Sequence, residues 1–109
     1  MENPDNLTVG LRRLRSAVAQ CQDQDALNRL DDALRMSSQE RVQFLVSNEL
    51  WGGAGSIADQ TGIDLGRSVR REVESALIDL GEEQIRRGVV NSRTALWVEA
   101  FKTWRRDGI

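Results

Sequence analysis

The chain has 109 residues, of which fifteen are basic and seventeen acidic, so that its formal net charge is −2. That length predicts a single domain spanning residues 1–109. The apolar fraction of 39% and the charged fraction of 29% are those of ordinary globular proteins and exclude a disordered tail or a fibrous repeat. The negative balance disfavours nucleic acid and anionic membranes as partners, because both are polyanions.

The residue types absent from the chain narrow its chemistry. There is no histidine, and Cys21 is the single cysteine. The commonest general base and metal ligand is therefore missing, and one thiol cannot build a zinc site or an internal disulfide. We expect a protein that is not an enzyme and that needs no cofactor or metal. A lone cysteine suits the reducing cytoplasm, and neither a membrane span nor a signal peptide is expected from the hydropathy pattern.

Apolar residues recur at helical spacing along most of the chain and predict an all-α fold. We expect a single-domain bundle of about five helices, with a glycine-rich loop between helices three and four. The short connection around residues 22–25 predicts that the first two helices are antiparallel neighbours. Their inward positions are Leu7, Leu11, Leu14, Val18, Cys21, Ala26, Leu27, Leu30, Ala33 and Leu34.

The third helix is predicted to begin with a capping box formed by Ser37 and Glu40, in which each side chain bonds the other residue's backbone N–H. Its apolar face continues to Trp51, and Gly52 is expected to end it as a left-handed cap.

The fourth helix is predicted from about Arg67 to Arg87, with Gly81 as an internal flaw and Gly88 as its stop. Asn91 or Ser92 is expected to cap the fifth helix, which Gly108 ends. On that helix three aromatic residues share one face at spacings of four and three, and they predict core packing or, alternatively, part of a partner-binding hot spot. They are Trp97, Phe101 and Trp104.

Residues 50–59 read Leu-Trp-Gly-Gly-Ala-Gly-Ser-Ile-Ala-Asp, and five of the nine glycines fall within residues 52–66. A glycine costs about 1 kcal/mol against alanine inside a helix, so this cluster predicts a specified loop. Gly53 is expected to adopt a positive φ, and Ser56 with Asp59 to form an aspartate version of the capping box. The loop invites comparison with a phosphate cradle, and its amides could bind an anion at the next helix start. It follows a helix and lacks the lysine that meets phosphates, however, so a structural loop is favoured over a nucleotide site.

Two interpretations of this segment stay open. In one, the glycines only let two helices pack closely while Trp51 fills the gap. In the other, the segment presents a compact acidic surface to a partner protein, and that hypothesis assigns partner binding to six residues. They are Glu49, Trp51, Gly53, Ser56, Asp59 and Asp64.

The same ten residues resemble an aromatic-Gly-Gly-x-Gly-Ser-x-x-Asp signature of small helical bacterial proteins. Most of those proteins are uncharacterised, and some are similar to immunity partners in toxin loci. The resemblance implies a non-enzymatic protein that neutralises a toxin by binding it directly, with acidic side chains opposing cations of the toxin.

An alternative interpretation is a helix-turn-helix regulator that binds DNA through residues 57–80, with Arg67, Arg70 and Arg71 on phosphates or guanine edges. Two features oppose it: the predicted turn is one residue too long, and Gly66 lies where the recognition helix should begin. A third interpretation is a homodimer that buries spare apolar residues such as Met36, Val89 and Val90.

Overall fold

The structure, a computed structural model, describes residues 6–61 and 65–108, and within these ranges the fold is all-α with no strand. The described residues form seven helical segments. They are α1 (Asn6–Ala19), α2 (Gln24–Arg35), α3 (Ser38–Leu45), α4 (Asn48–Trp51), α5 (Ile57–Gln60), α6 (Arg67–Arg87) and α7 (Thr94–Asp107). The prediction of about five helices was too low, because two one-turn helices flank the glycine-rich residues.

Helix α6 organises the packing of the longer helices. It packs against both α1 and α7, and α1 also packs against α2, as the short connection predicted. Leu11, Leu14, Leu77 and Leu80 are fully buried where these helices meet. Burying each such side chain contributes roughly 1.5–3 kcal/mol to the stability of the fold.

The predicted third helix is interrupted at Ser47. The capping box of Ser37 and Glu40 is present as expected and begins α3. At Ser47, however, the backbone is extended and the hydroxyl donates to the Phe44 carbonyl at 2.6 Å. A serine that bonds a nearby carbonyl competes with the helical ladder, and the chain restarts here as the separate helix α4.

The predicted helix ends are partly confirmed. Gly88 and Gly108 are left-handed C-caps, each with a φ of 72°. Gly52 is the C-cap of α4, but its φ of −69° and ψ of −165° are extended, so the prediction of a left-handed cap there was wrong. Helix α7 begins at Thr94, later than predicted, and the Asn91 side chain accepts a bond from the Arg93 N–H at 2.9 Å.

Candidate functional site

The glycine loop, residues 52–56, connects α4 to α5 and reaches the surface. Gly53, Ala54 and Gly55 are exposed, whereas Gly52 and Ser56 on either side are buried. The positive φ of this loop lies at Gly55 (88°), and Gly53 is not among the positive-φ residues, so the expectation for Gly53 was wrong. Position 55 is where an L side chain would strain the backbone.

Bonds within the segment fix the exposed turn. The Ser56 hydroxyl donates to the Gly52 carbonyl at 2.9 Å and accepts from the Asp59 N–H at 3.1 Å. The Asp59 carboxylate accepts from the Gly55 N–H at 3.2 Å. The predicted box is therefore half confirmed, because Ser56 caps α5 while Asp59 bonds the residue before Ser56.

Trp51 lies in the core beneath the loop and is 0% exposed. Its indole N–H donates to the Gln84 side-chain carbonyl at 3.0 Å. The Gln84 amide group in turn donates to the Leu45 carbonyl at 2.8 Å and the Val89 carbonyl at 2.9 Å. The Trp51 ring cannot contact a partner directly, and it acts as a support for the loop. A lone glutamine among the apolar positions of α6 was the sequence signal for this contact.

Gly81 is where the Trp51 ring and α7 approach α6. A Cβ atom built on Gly81 would lie 2.4 Å from Val98 Cγ2 and 3.1 Å from Trp51 Cη2. Van der Waals contact needs about 3.5–4.0 Å between carbons, so only glycine fits. The predicted flaw in α6 is thus a packing site.

Trp97 joins α7 to the glycine loop. Its indole N–H lies 3.0 Å from the Trp51 carbonyl and 3.2 Å from the Gly52 carbonyl, and its ring stacks on Phe101 at a centroid distance of 5.4 Å. Phe101 is fully buried, whereas Trp97 and Trp104 are partly buried. The aromatic face therefore packs in the core at its middle and retains accessible ring area at both ends.

Two residues at the start of α7 extend the exposed turn into a larger surface. The Arg93 guanidinium lies beside Gly53, because a Cβ on Gly53 would be 3.6 Å from Arg93 Nη1. Leu96, three residues further on, is 69% exposed. Arg93 directly precedes α7 and Leu96 follows three residues later, a spacing that brings helical side chains close together. We therefore group the exposed residues Gly53, Ala54, Gly55, Arg93 and Leu96 under the name loop–α7 surface.

The acidic residues predicted for partner binding are in different situations. Glu49 is exposed on α4. Asp59 is partly buried and its carboxylate already bonds the loop. Asp64 lies outside the described residues. In the described part of this segment, Glu49 is the acidic side chain left facing solvent.

Arg70 and Arg71, two of the three arginines assigned to DNA, bond inside the protein. Arg70 donates to the Thr61 and Ala58 carbonyls, each at 2.7 Å, and to the Glu74 carboxylate at 3.0 Å. Burial lowers the pKa of Arg70, while the Glu74 carboxylate opposes that shift. Arg71 donates to the Trp104 carbonyl at 3.1 Å. The structure thus ties α5 to α6 with the Arg70 side chain that the regulator hypothesis gave to phosphates.

Arg67, the third of them, is exposed at the start of α6 and borders a cavity of about 370 Å³. Trp97 and Trp104 line the cavity from α7, and Asp59, Arg70, Arg71 and Glu74 line it from α5 and α6. Trp97 borders this cavity, and its indole N–H also bonds the Gly52 carbonyl of the glycine loop.

Comparison with known proteins adds no family to this geometry. No protein family model matches the chain, and neither a curated protein nor a solved structure is detectably similar to it. No helix in the described ranges is long and apolar enough to cross a membrane. Residues 6–61 and 65–108 hold no group of three or more cysteine, aspartate or glutamate residues placed to bind a metal ion.

Proposed function

We propose that this chain is a non-enzymatic protein-binding module whose partner docks on the loop–α7 surface. One observation carries the proposal: the turn at Gly53–Gly55 is exposed while both of its flanks are fixed to the core. Ser56 holds it from the α5 side, and the Trp97 indole holds the Gly52 carbonyl from α7. The proposal includes the view that the helical bundle serves to present the glycine-rich loop to a partner.

Pre-organisation is the physical reason why such a turn suits binding. Ordering a flexible loop on association costs about 0.5–1.5 kcal/mol for each immobilised side chain. The hydrogen bonds of Ser56 and Asp59 already order this turn in the folded protein, so its backbone loses little entropy on binding. Residues 53–55 are glycine and alanine, which have almost no side-chain entropy to lose. The Gly53 carbonyl and the Gly55 N–H already bond Ser56 and Asp59. The remaining backbone N–H and C=O groups of residues 53–55 are available to a partner in a fixed arrangement.

The chemistry beside the turn indicates the complementary surface. Leu96 is the most exposed large apolar side chain of the described residues, and it offers an anchor for an apolar pocket. Arg93 makes no side-chain hydrogen bond or ion pair with another described residue, so its guanidinium can form a bidentate ion pair with a carboxylate of the partner. The partner surface therefore combines an apolar recess with an acidic group.

The specific version of the proposal is an immunity-type protein that neutralises a toxin in the bacterial cytoplasm. Its support is the resemblance of residues 50–59, which build the glycine loop. Glu49 is the described carboxylate available to oppose a basic toxin residue, with Asp64 as a second candidate. Immunity is thus the most concrete form of the protein-binding function proposed here.

The test compares two exposed apolar residues on different helices. Leu96→Asp alters the proposed surface, whereas Val9→Asp, at 47% exposure on α1, is the matched control. Each variant and the parent protein are used to capture partners from the native cell, and the affinity for the captured protein is then measured with purified components. We expect Leu96→Asp to weaken binding at least tenfold and Val9→Asp to leave it unchanged.

Equal binding by the two variants would refute the assigned surface. If the parent captures only a second copy of itself, the homodimer interpretation replaces the proposal. The immunity role has its own test, which starts by expressing the products of the neighbouring genes one at a time. A product that stops growth should be neutralised by co-expression of the parent chain and not by the Leu96→Asp variant, and the absence of any such product would count against the role.

A further inference from the structure

The cavity between α5, α6 and α7 is a second feature with the dimensions of a binding site. Its volume is about 370 Å³, within the range of about 300–1,000 Å³ typical of small-molecule pockets and near its lower end. The walls are made by helices on two sides, with α6 and α7 packed against each other. A ligand of one or two rings fits this space.

The charges lining the cavity leave a cation in excess. Glu74 is already paired with Arg70 at 3.0 Å and lies 3.8 Å from Arg71. Asp59 accepts from the Gly55 N–H. Arg67 is exposed and makes no side-chain hydrogen bond or ion pair with the rest of the described chain, so its guanidinium is free to meet an anionic group.

The other walls supply flat apolar area. Trp97 and Trp104 line the cavity from α7, on either side of the buried Phe101 ring. The Trp104 ring packs edge-on to Phe101 at a centroid distance of 5.7 Å, and Trp104 is partly buried at the cavity wall. Aromatic side chains of this kind pack against planar ligand groups and favour them beyond the area that is buried.

We infer that this cavity binds a small organic anion that carries an aromatic ring, with the carboxylate or equivalent group on Arg67 and the ring against Trp97 and Trp104. Neither property suffices alone: acetate lacks the ring, and a neutral aromatic alcohol lacks the charge. The cavity lining shares no residue with the loop–α7 surface, although Trp97 also bonds the Gly52 carbonyl beside it. A small-molecule probe therefore tests this site separately from the docking of a partner protein.

The test uses naphthoate, naphthylmethanol and acetate as probes of the purified full chain. The three tryptophan indole N–H signals are followed in nitrogen–proton correlation spectra. Trp51 is fully buried away from the cavity and acts as an internal reference. We expect naphthoate to shift the Trp97 and Trp104 signals and leave Trp51 unchanged, with naphthylmethanol and acetate each binding at least about fivefold more weakly.

A matched pair of arginine variants tests the role of Arg67. Arg67→Gln removes the exposed cation at the cavity, and Arg12→Gln removes an exposed cation on α1. We expect Arg67→Gln to lower the naphthoate affinity about fivefold, which corresponds to the upper end of the free energies measured for exposed ion pairs. Arg12→Gln should leave the affinity unchanged. Trp104→Leu should weaken both aromatic probes.

Three results would overturn the inference. In the first, naphthoate leaves both cavity tryptophan signals in place. In the second, the alcohol binds as tightly as the anion, and in the third the two arginine variants bind naphthoate equally. An unshifted Trp51 signal in each variant shows that the fold is intact, so that a loss of binding reports on the cavity.

Discussion

Replacing Gln84 by methionine tests whether the loop is supported from below by hydrogen bonds. Methionine has nearly the same length and flexibility, so the volume of this fully buried position changes little. The substitution removes the acceptor of the Trp51 indole N–H. It also removes the donors to the Leu45 and Val89 carbonyls.

The expected loss follows from the three groups left behind. A buried polar group without a partner costs about 1–3 kcal/mol. The Trp51 indole N–H can make a single hydrogen bond and lies in a fully buried ring, so leaving it without a partner should cost about 3 kcal/mol, the top of this range. A buried carbonyl without a partner is tolerated better than a buried N–H, so the share of each carbonyl is about 1 kcal/mol or less. We expect a total of about 3–5 kcal/mol, a large part of the 5–15 kcal/mol that holds a domain folded.

The measurement is the free energy of unfolding from urea titrations followed by fluorescence and circular dichroism. Gln43→Met, at an exposed position on α3, is the control and should change stability by less than about 0.5 kcal/mol. Trp51→Phe removes the orphaned donor, so in the double variant the two losses should be non-additive by at least about 1 kcal/mol. A loss below about 1 kcal/mol for Gln84→Met, with an unchanged urea dependence, would refute the reasoning.

Two further variants and a labelling experiment extend these expectations. Gly81→Ala should cost about 1–3 kcal/mol because its Cβ would meet Val98 at 2.4 Å. Gly10→Ala, where the flexible tip of Leu80 lies at 3.1 Å, should cost less or stabilise; equal losses in urea titrations would contradict the packing argument. Burial raises the pKa of Cys21, so the thiol of the folded protein should react with iodoacetamide far more slowly than the thiol of the protein unfolded in urea. For the same reason, the free energy of unfolding should fall as the pH rises through the pKa of the unfolded thiol. Equal labelling rates in the two states would contradict this.

The features that the sequence predicted well are local ones. Helix α6 was placed at Arg67–Arg87, as observed, because its apolar spacing and the glycine that ends it are properties of one segment. The Ser37 capping box also depends on neighbours three residues apart. The break at Ser47 was missed because a single hydroxyl there competes with a helix that the apolar pattern favours.

The parts of the site that sequence could not predict are contacts between distant residues. The position of the glycine loop was evident, but the burial of Trp51 depends on Gln84, 33 residues away. Arg70 was interpreted as a solvent-facing cation because nothing in its own helix shows that Thr61 and Ala58 present carbonyls to it. Asp64 belongs to a stretch that the structure does not describe, so its assignment stays a prediction.

The two one-turn helices beside the loop have a consequence for the order in which the chain assembles. Helices of four residues are not stable alone in water, because the free-energy cost of helix nucleation exceeds the stabilisation from the hydrogen bonds of one turn. Helix α5 depends on the Arg70 side chain for its carbonyls, and α4 depends on the Trp97 indole. We therefore expect α1, α6 and α7 to dock early and the loop to be shaped last. Under mild denaturant the same region should exchange its amide protons first, while the long helices stay protected.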